Sequence, residues 1–432
     1  MFRYCRAGPQ GAIIYISMIV KNVQLYKFSM YGFLKDLRFF EPFMVLYLLE
    51  KGLSFTEIGL LYGFREIVIN ILEVPTGVFA DAIGHKKTLM LAFLGYIVSF
   101  VIFYAAAGVP LLLAAMVFFS FGEACRTGTH KAIIFDYLHQ NGMDDQKTAY
   151  YGYTRSWSQN GAAVSALAAG IIVFWQGSYS SIFLFSIIPY VLDFFLIMSY
   201  PSSLNGSGEK SGIKLGQVFK DIAKETAYIF SAKRTFVIIG NQAIHTGFYK
   251  AGKDFIQPIL KTMALGLPFL LSYSEEQRSS VAVGIIYFIL YLLTSLAARN
   301  AHRFVKSSKS VGRLLNATLI AGAAAGCAAG VLYQFKLTPF AVLLYIGIFL
   351  LENVRKPAGV AYVSDVIKPK AIATTLSAVS QASSVVTAGI SLSLGAAIDL
   401  LGLGWGMAAV FGSLGIISLF FRVSLENQSQ IM

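Results

Sequence analysis

The feature that most constrains this sequence is a succession of apolar stretches long enough to cross a membrane. Hydrophobic residues make up 56% of the chain and charged residues only 13%, which is more apolar surface than a water-soluble core can hide. A bilayer core about 30 Å thick needs roughly 20 apolar residues per helical span. We therefore expect an all-α polytopic membrane protein with twelve transmembrane helices. Hydropathy places them at about 26–49, 56–80, 88–108, 111–135, 151–175, 181–200, 235–263, 280–299, 313–334, 339–364, 373–397 and 404–424.

The spans fall into two sets of six on either side of a polar segment. We expect an N-terminal six-helix bundle at 26–200, a cytoplasmic linker at 201–234 and a C-terminal six-helix bundle at 235–432. The linker opens with small polar residues and continues into Leu215 to Phe230, a lysine-rich stretch with the pattern of an amphipathic helix. Two six-helix pseudo-repeats are a transporter architecture, with the binding site between the halves.

Residues 1–25 are predicted to be an N-terminal extension. An apolar patch, Gly11 to Val20, has basic neighbours and resembles a signal sequence, but it is short and no small-residue cleavage site follows. An upstream start codon, with Met18 as the usual start, would explain the extension. The three cysteines of the chain offer neither a disulfide framework nor metal-ligand spacing. We expect no metal and no cofactor.

The basic balance of the chain is explained by membrane orientation. The chain has 35 Lys and Arg residues against 22 Asp and Glu, a formal net charge of +13. In a soluble protein this excess would suggest binding to nucleic acid. Here the lysines concentrate in the linker and in the loops on one side, beginning with Lys86, Lys87 and Lys147. The positive-inside rule then places both termini in the cytoplasm. We expect a multi-pass protein of the inner (cytoplasmic) membrane with no nucleic-acid partner.

Two internal repeats relate the halves. The motif Glu123-x-x-Arg126 in the fourth span recurs as Glu352-x-x-Arg355 in the tenth, 229 residues later. A weaker match relates the first span to the seventh. It pairs Gly32-Phe-x-Lys35-x-x-Arg38 with Gly247-Phe-x-Lys250-x-x-Lys253, and Glu41-Pro42 with Gln257-Pro258.

The turn between the second and third spans carries a recognisable motif, Gly77-x-x-x-Asp81-x-x-Gly84-x-Lys86-Lys87. It resembles the signature loop of the major facilitator superfamily, and the six-plus-six topology, the linker and the repeat resemble that family over nearly the whole chain. The resemblance implies the superfamily fold, alternating access and, commonly, proton coupling.

The same resemblance implies a cytoplasmic gate. Its predicted residues are Gly77, Asp81, Gly84, Lys86, Lys87 and, at the end of the fourth span, Asp136. Ala82 and His85 stand where the family commonly has a cation, so the gate is expected to be weaker or differently connected.

Charged residues inside the spans are costly and indicate function. In the superfamily the first and seventh helices line the central cavity, and relatives that carry organic phosphates place basic residues there. Opposed cations on the two halves can bind an anion between them. The alternative is that nearby acids neutralise these cations internally. Those acids also suggest either a zwitterionic substrate or a proton relay. The predicted substrate-binding residues are Lys35, Arg38, Lys250, Lys253, Arg126 and Arg355.

Proton coupling needs a group that alternates between charged and neutral states. Glu41 comes first, because the surrounding Phe and Pro residues give it an apolar setting. His245 is expected to be a packed polar residue, and Glu73 to support the signature loop. Each Glu-x-x-Arg pair lies on one helix face and is either a structural ion pair or part of gating. The predicted proton-coupling residues are Glu41, Asp36, Asp254, Glu123 and Glu352.

The sequence as a whole predicts a secondary active transporter for a small polar solute, anionic or zwitterionic, driven by protons or by exchange. An efflux pump for a drug or metabolite such as a siderophore, and a lipid flippase, share the fold and stay open. An integral membrane enzyme or sensor is disfavoured, because five scattered histidines form no metal-binding pattern and no large loop is present. We expect a monomer in the lipid bilayer whose partners are a small-molecule substrate and protons.

Overall fold

The computed structural model describes residues 4–7, 13–16, 21–205, 233–307, 310–367 and 372–424. The predicted amphipathic stretch, Leu215 to Phe230, lies outside the described residues. Near the N-terminus, strands β1 (Tyr4–Ala7) and β2 (Ile13–Ile16) pair antiparallel, and the regular elements described from residue 21 onwards are helical. The helices of the N-terminal half are α1 (Val23–Lys35), α2 (Met44–Glu50), α3 (Phe55–Ile83), α4 (His85–Ala105), α5 (Val109–Arg126), α6 (Thr129–Gln140), α7 (Lys147–Gln176) and α8 (Ser181–Met198). Short 3-10 turns lie at Asp144–Gln146 and Ser202–Asn205.

The C-terminal half repeats this plan with one break fewer. Its helices are α9 (Lys233–Phe255), α10 (Gln257–Leu265), α11 (Glu275–Ser307), α12 (Val311–Gln334), α13 (Thr338–Val366), α14 (Ile372–Leu401) and α15 (Leu403–Ser418), followed by a 3-10 turn at Leu419–Phe421. The fourth predicted span is interrupted between α5 and α6, whereas its counterpart α13 runs through Pro357 without a break.

The prediction of an all-α membrane protein is confirmed. Among the described residues, nine helical segments are long and apolar enough to cross a membrane. The first, second and seventh predicted spans are not among them. The first and seventh are each broken into two helices, and α3 carries several charges along its length. The count of twelve spans therefore stays a prediction.

Local sequence signals explain where α1 and α3 begin. Asn22 accepts a hydrogen bond from the N–H of Leu25 (2.8 Å) and caps α1. Ser54 and Glu57 form a capping box at the start of α3. Exposed large apolar side chains, such as Ile171 and Leu400, cover the outside of the bundle, as expected of a surface that faces lipid.

The two halves pack through α3 against α14 and through α7 against α11. A Cβ at Gly59 or at Gly395 would collide with backbone of the opposite half, so these glycines permit the close approach. Asp399, at the end of α14, accepts hydrogen bonds from the N–H groups of Phe55 (3.1 Å) and Thr56 (2.7 Å). A carboxylate of one half thus caps the positive end of a helix in the other.

Polar contacts between the halves are confined to that end and the middle of the molecule. Tyr179 and Ser279 share a hydrogen bond at the same end as Asp399 (2.7 Å), and the Nδ2 of Asn70 donates to the carbonyl of Gln381 at mid-height (3.0 Å). Farther towards the opposite end, the described side chains form no hydrogen bond or ion pair between the halves. The halves are therefore closed at the end formed by the α2–α3 and α14–α15 turns.

Replacing Asp399 with Asn is expected to weaken this closure. The variant loses a charge–dipole interaction of about 0.3–1 kcal/mol, so the ratio of open to closed conformers at this end should rise about twofold to fivefold. Electron spin resonance distances between labels at Trp175 and Leu271, on opposite halves at the closed end, would measure this in a cysteine-free background. Asp145→Asn, a change at an exposed acid near the other end, is the control and should leave the distances unchanged. An unaltered distribution in Asp399→Asn would contradict this account of the closure.

Candidate functional site

A cavity of about 390 Å³ lies between the two halves. It is lined by the segment between α1 and α2 and by residues of α3, α5, α9 and α14. Apolar walls come from aromatic and aliphatic side chains such as Phe40, Met116 and Tyr249. This central cavity is large enough for a small metabolite.

Nine charged side chains line the central cavity. Four are cations and five are carboxylates, which gives the lining a net charge of −1 when all are ionised. The cations are Arg38, Arg65, Lys250 and Lys253, and the carboxylates are Glu41, Glu66, Glu73, Glu123 and Asp254. The structure thus brings together three of the six predicted substrate-binding residues and three of the five predicted proton-coupling residues.

Three ion pairs cross the central cavity from one half to the other. Lys253 of α9 pairs with Glu41 of the α1–α2 segment. The Nζ of Lys250 lies 2.9 Å from a carboxylate oxygen of Glu66. A third, looser pair joins Arg65 to Asp254 at 3.8 Å. Each half therefore presents both signs of charge to the other, and the ion pairs join the halves across the central cavity.

The broken helices place these charges. Gln257, at the break between α9 and α10, donates to the carbonyl of Glu41 (2.9 Å) and accepts from the N–H of Val45 (2.8 Å). Glu41 and Gln257 are the counterparts predicted by the weaker repeat, and they meet across the boundary between the halves. This contact provides hydrogen-bond partners for backbone N–H and C=O groups that have no partner within a helix at the break between α1 and α2.

Arg38 and Glu123 connect the first span to the fourth. The Nη2 of Arg38 lies 2.8 Å from a carboxylate oxygen of Glu123, and Glu123 also pairs with Arg126. The predicted Glu123–Arg126 pair therefore forms, but Glu123 faces the central cavity while Arg126 does not. Arg126 lines a second cavity of about 270 Å³ within the N-terminal half, together with Lys35 and Asp36. Those three residues were predicted for the substrate or proton site, and the structure places them outside the central cavity.

The prediction of an equivalent pair between Glu352 and Arg355 is wrong. Glu352 instead contacts the Nδ1 of His245 (2.9 Å). The guanidinium of Arg355 donates to the side chain and carbonyl of Asn241 and to the hydroxyl of Thr318. Both residues are buried inside the C-terminal half and neither lines the central cavity. Uncharged acceptors on neighbouring helices satisfy Arg355, so it needs no carboxylate.

The predicted gate loop is anchored within its own half. The Nζ of Lys86 donates to the carbonyls of Met198 (2.9 Å) and Tyr200 (2.6 Å) at the end of α8. Gly84 has φ +99° and lies against Asn205, a conformation and a contact that both exclude a side chain. Among the described residues no ion pair involves Asp81 or Asp136.

Among the described residues, Lys87 and Gly77 form no hydrogen bond or ion pair with the opposite half. The backbone N–H of Lys87 donates to the side-chain oxygen of Asn205 (3.3 Å). Gly77 has open space around its α-carbon. The role of this loop as a gate stays a prediction.

Sequence reasoning left Arg65, Glu66 and Glu73 out of the predicted site, although all three line the central cavity. The spacing of Glu66 and Glu73 could have indicated a shared site. They are seven residues apart on α3, which puts them on one helix face. Glu66 is 4% exposed and bridges Arg65 (3.1 Å) and Lys250. Glu73 has no ion pair among the described residues.

Comparison with known proteins identifies the family. The sequence profile described as Major Facilitator Superfamily matches residues 36–355, which is more than half of the chain. The chain belongs to the Major Facilitator Superfamily. The predicted family membership is confirmed, and with it a transporter fold embedded in a membrane by several helices.

Two curated relatives are described as uncharacterized transporters of the same superfamily. "Uncharacterized MFS-type transporter YxaM" of Bacillus subtilis (strain 168) is 32% identical over 90 residues, 21% of this chain and 23% of that protein. "Uncharacterized MFS-type transporter MJ1317" of Methanocaldococcus jannaschii is 24% identical over 282 residues, 64% of this chain and 65% of that protein. The chain thus spans less than two thirds of the length of each of these relatives.

Solved transporter structures share the fold at low sequence identity. The nucleoside transporter NupG superposes with a TM-score of 0.74 at 12% identity, covering 93% of this chain and 98% of NupG. A POT family transporter in complex with 5-aminolevulinic acid gives 0.70 at 13% identity, covering 93% and 96%. A bacterial homologue of the lysosomal transporter Spinster gives 0.68 at 16% identity, covering 92% and 95%. These likenesses concern the fold alone.

The ion pair between Glu66 and Lys250 should be energetically coupled. Breaking it by Glu66→Gln or Lys250→Gln leaves a partly buried charge without its partner, and the double variant leaves neither. We expect a coupling free energy of about 1–3 kcal/mol between the two changes, from thermal or denaturant unfolding of the four proteins. The exposed pair of Lys147 and Asp144 (2.6 Å) is the control, with a coupling of about 0–0.5 kcal/mol. Additive effects at Glu66 and Lys250 would refute the coupling.

Proposed function

We propose that this protein is a secondary active transporter that moves a small zwitterionic solute across the cytoplasmic membrane by alternating access. The proposal rests on the three ion pairs that cross the central cavity. The sequence left both an anionic and a zwitterionic substrate open, and the proposal chooses the zwitterion. Family membership supports transport of a small molecule, and the charge pattern of the cavity supports the substrate class.

The pairing of the cavity cations argues against a simple anion. Each of Arg38, Arg65, Lys250 and Lys253 already lies within 4 Å of a carboxylate. An anion that captured one of these cations would leave its carboxylate unpaired in a poorly solvated site, at a cost of about 3–5 kcal/mol. A zwitterion avoids this cost because its anionic group can take the cation while its ammonium group takes the released carboxylate.

Such an exchange of partners would couple binding to movement of the halves. The pairs Lys253–Glu41 and Lys250–Glu66 hold the halves together near the middle of the molecule. A bound zwitterion that replaces both partners keeps the charges satisfied and frees the halves from each other. The closed end, where Asp399 contacts the start of α3, lies opposite the end at which the halves are open. Alternating access follows from the alternation of these two sets of contacts.

Proton coupling is assigned to Asp254. Its contact with Arg65, at 3.8 Å, is the longest of the pairs in the central cavity, whereas Glu66 has cation nitrogens at 2.9 and 3.1 Å. A carboxylate with a loose partner loses least when it takes up a proton. Asp254 also follows Lys253 directly, so its charge affects the cation that pairs with Glu41.

A matched series of analogues tests the substrate class. An α-amino acid, its N-acetyl derivative and its methyl ester differ only in which charge remains. Thermal shift of the purified protein across several such series should give a higher melting temperature with the zwitterion than with either singly charged form.

Arg38→Ala and Lys250→Ala should abolish this response. Asp145→Asn should keep it. 5-Aminolevulinic acid, which carries both groups, and nucleosides, which carry neither, extend the set. Equal or greater stabilisation by the N-acetyl forms or by nucleosides would overturn the zwitterion proposal.

Asp254→Asn should separate proton-driven transport from exchange. Reconstituted in liposomes with a stabilising zwitterion, the variant should lose accumulation driven by a pH gradient, because its side chain can no longer change charge. It should retain counterflow, in which labelled substrate exchanges for unlabelled substrate without net proton movement. Glu73→Gln is the comparison, since Glu73 is the other cavity acid without a close cation. Full gradient-driven accumulation in Asp254→Asn would exclude this role for Asp254.

A further inference from the structure

The second cavity, of about 270 Å³, lies wholly within the N-terminal half and has a different character from the central one. It is enclosed by α1, α6 and α7 and by the break between α5 and α6. Four cations line it, Lys35, Arg126, Lys131 and Arg155, against one carboxylate, Asp36. Asp36 pairs with Lys35 at 2.8 Å. The net charge of this lining is +3, whereas that of the central cavity is −1.

A helix begins at the wall of this cavity. Gly128, which lines it, precedes α6 with φ +78°, and no side chain caps the helix. The first turn closes where the N–H of Ala132 donates to the carbonyl of Gly128 (3.0 Å). The N–H groups before Ala132 stand at the positive end of a twelve-residue helix, the usual place for an anion to bind.

An independent observation also points to a ligand in this cavity. Tyr31 lines it and is 1% exposed, yet its buried hydroxyl has no hydrogen-bond partner among the described residues. The ring of His130 stacks on the ring of Tyr31 with centroids 3.6 Å apart, which fixes the tyrosine in place. A buried hydroxyl without a partner is costly, and a bound ligand oxygen would satisfy it.

We propose that this second cavity binds an anion with phosphate or carboxylate oxygens. Lys131 and Arg155 supply positive charge outside the central ion-pair network, the start of α6 supplies backbone N–H groups, and Tyr31 supplies a hydroxyl donor. The volume suits a small inorganic or organic anion, or the head group of an anionic lipid. The anion site is proposed on its own residues and does not rest on the zwitterionic substrate proposed for the central cavity.

The anion site is connected to the central cavity by one chain of ion pairs. Arg126 lines the second cavity and pairs with Glu123, and Glu123 in turn pairs with Arg38 in the central cavity. An anion that attracts Arg126 weakens its hold on Glu123 and strengthens the pair between Glu123 and Arg38. Occupancy of the second cavity therefore adjusts the charge that the substrate meets.

Titration of the purified protein with inorganic phosphate tests the site. Ionic strength is held constant with chloride, and the melting temperature is followed in a neutral detergent. We expect a saturable rise in wild type. Arg155→Gln and Lys131→Gln should each weaken the apparent affinity for phosphate about fivefold, because each removes one partly exposed charged contact. Lys131→Glu should abolish the response, since it places a carboxylate in the cavity. Arg313→Gln, which removes an exposed cation of the C-terminal half, should respond like wild type.

Nanodiscs distinguish the two sources of the anion. For a soluble anion, phosphate should stabilise the protein equally in phosphatidylcholine alone and in phosphatidylcholine with phosphatidylglycerol. For a lipid head group, phosphatidylglycerol should itself stabilise wild type but not Lys131→Glu, and phosphate should then add nothing. Either result supports the anion site. A response to phosphate that is the same in wild type, Arg155→Gln, Lys131→Gln and Arg313→Gln would overturn it.

Discussion

The cost of holding charge inside a membrane governs this structure. Each charged side chain placed between the halves must find a partner, and the partners of Lys250 and Lys253 are Glu66 and Glu41 of the opposite half. An unpaired charge inside a single bundle would be destabilising. Paired with a charge of the opposite half, it instead forms a contact between the two bundles. The same groups line the central cavity. In the function proposed above, a substrate enters by offering replacement charges, so that the interaction joining the halves also selects the substrate.

The fourth span of the N-terminal half and its counterpart in the C-terminal half place their charges differently. In the N-terminal half the helix pair α5 and α6 is broken after Arg126, which opens a second, positively charged cavity beside the start of α6. In the C-terminal half α13 continues past Arg355, and buried polar groups such as Asn241 and His245 satisfy the charges internally. The repeated motif thus borders a cavity in one half and is packed inside the helix bundle in the other.

Much of the fold and part of the site could be predicted from the sequence. Apolar length, the signature loop ending in Lys86 and Lys87, and the duplicated motifs indicated the family correctly. Intramembrane charge also identified Arg38, Lys250 and Lys253 as cavity residues. The failures concern direction and pairing: Lys35 and Arg126 face another cavity, and Glu352 pairs with His245 rather than with Arg355. Spacing along one helix cannot specify which group a neighbouring helix will bring near.

The sequence by itself determined that the protein lies in a lipid membrane and that its fold is helical with two duplicated halves. Apolar runs of membrane length leave helices as the only arrangement that satisfies the backbone, and the duplicated halves then require an interface between them. Only the tertiary structure decided which charges meet at that interface. Gln257 contacts Glu41, and Arg65 approaches Asp254, across distances of about two hundred residues in the chain. Such pairings depend on the registration of helices packed in three dimensions, and a local pattern contains no information about that registration.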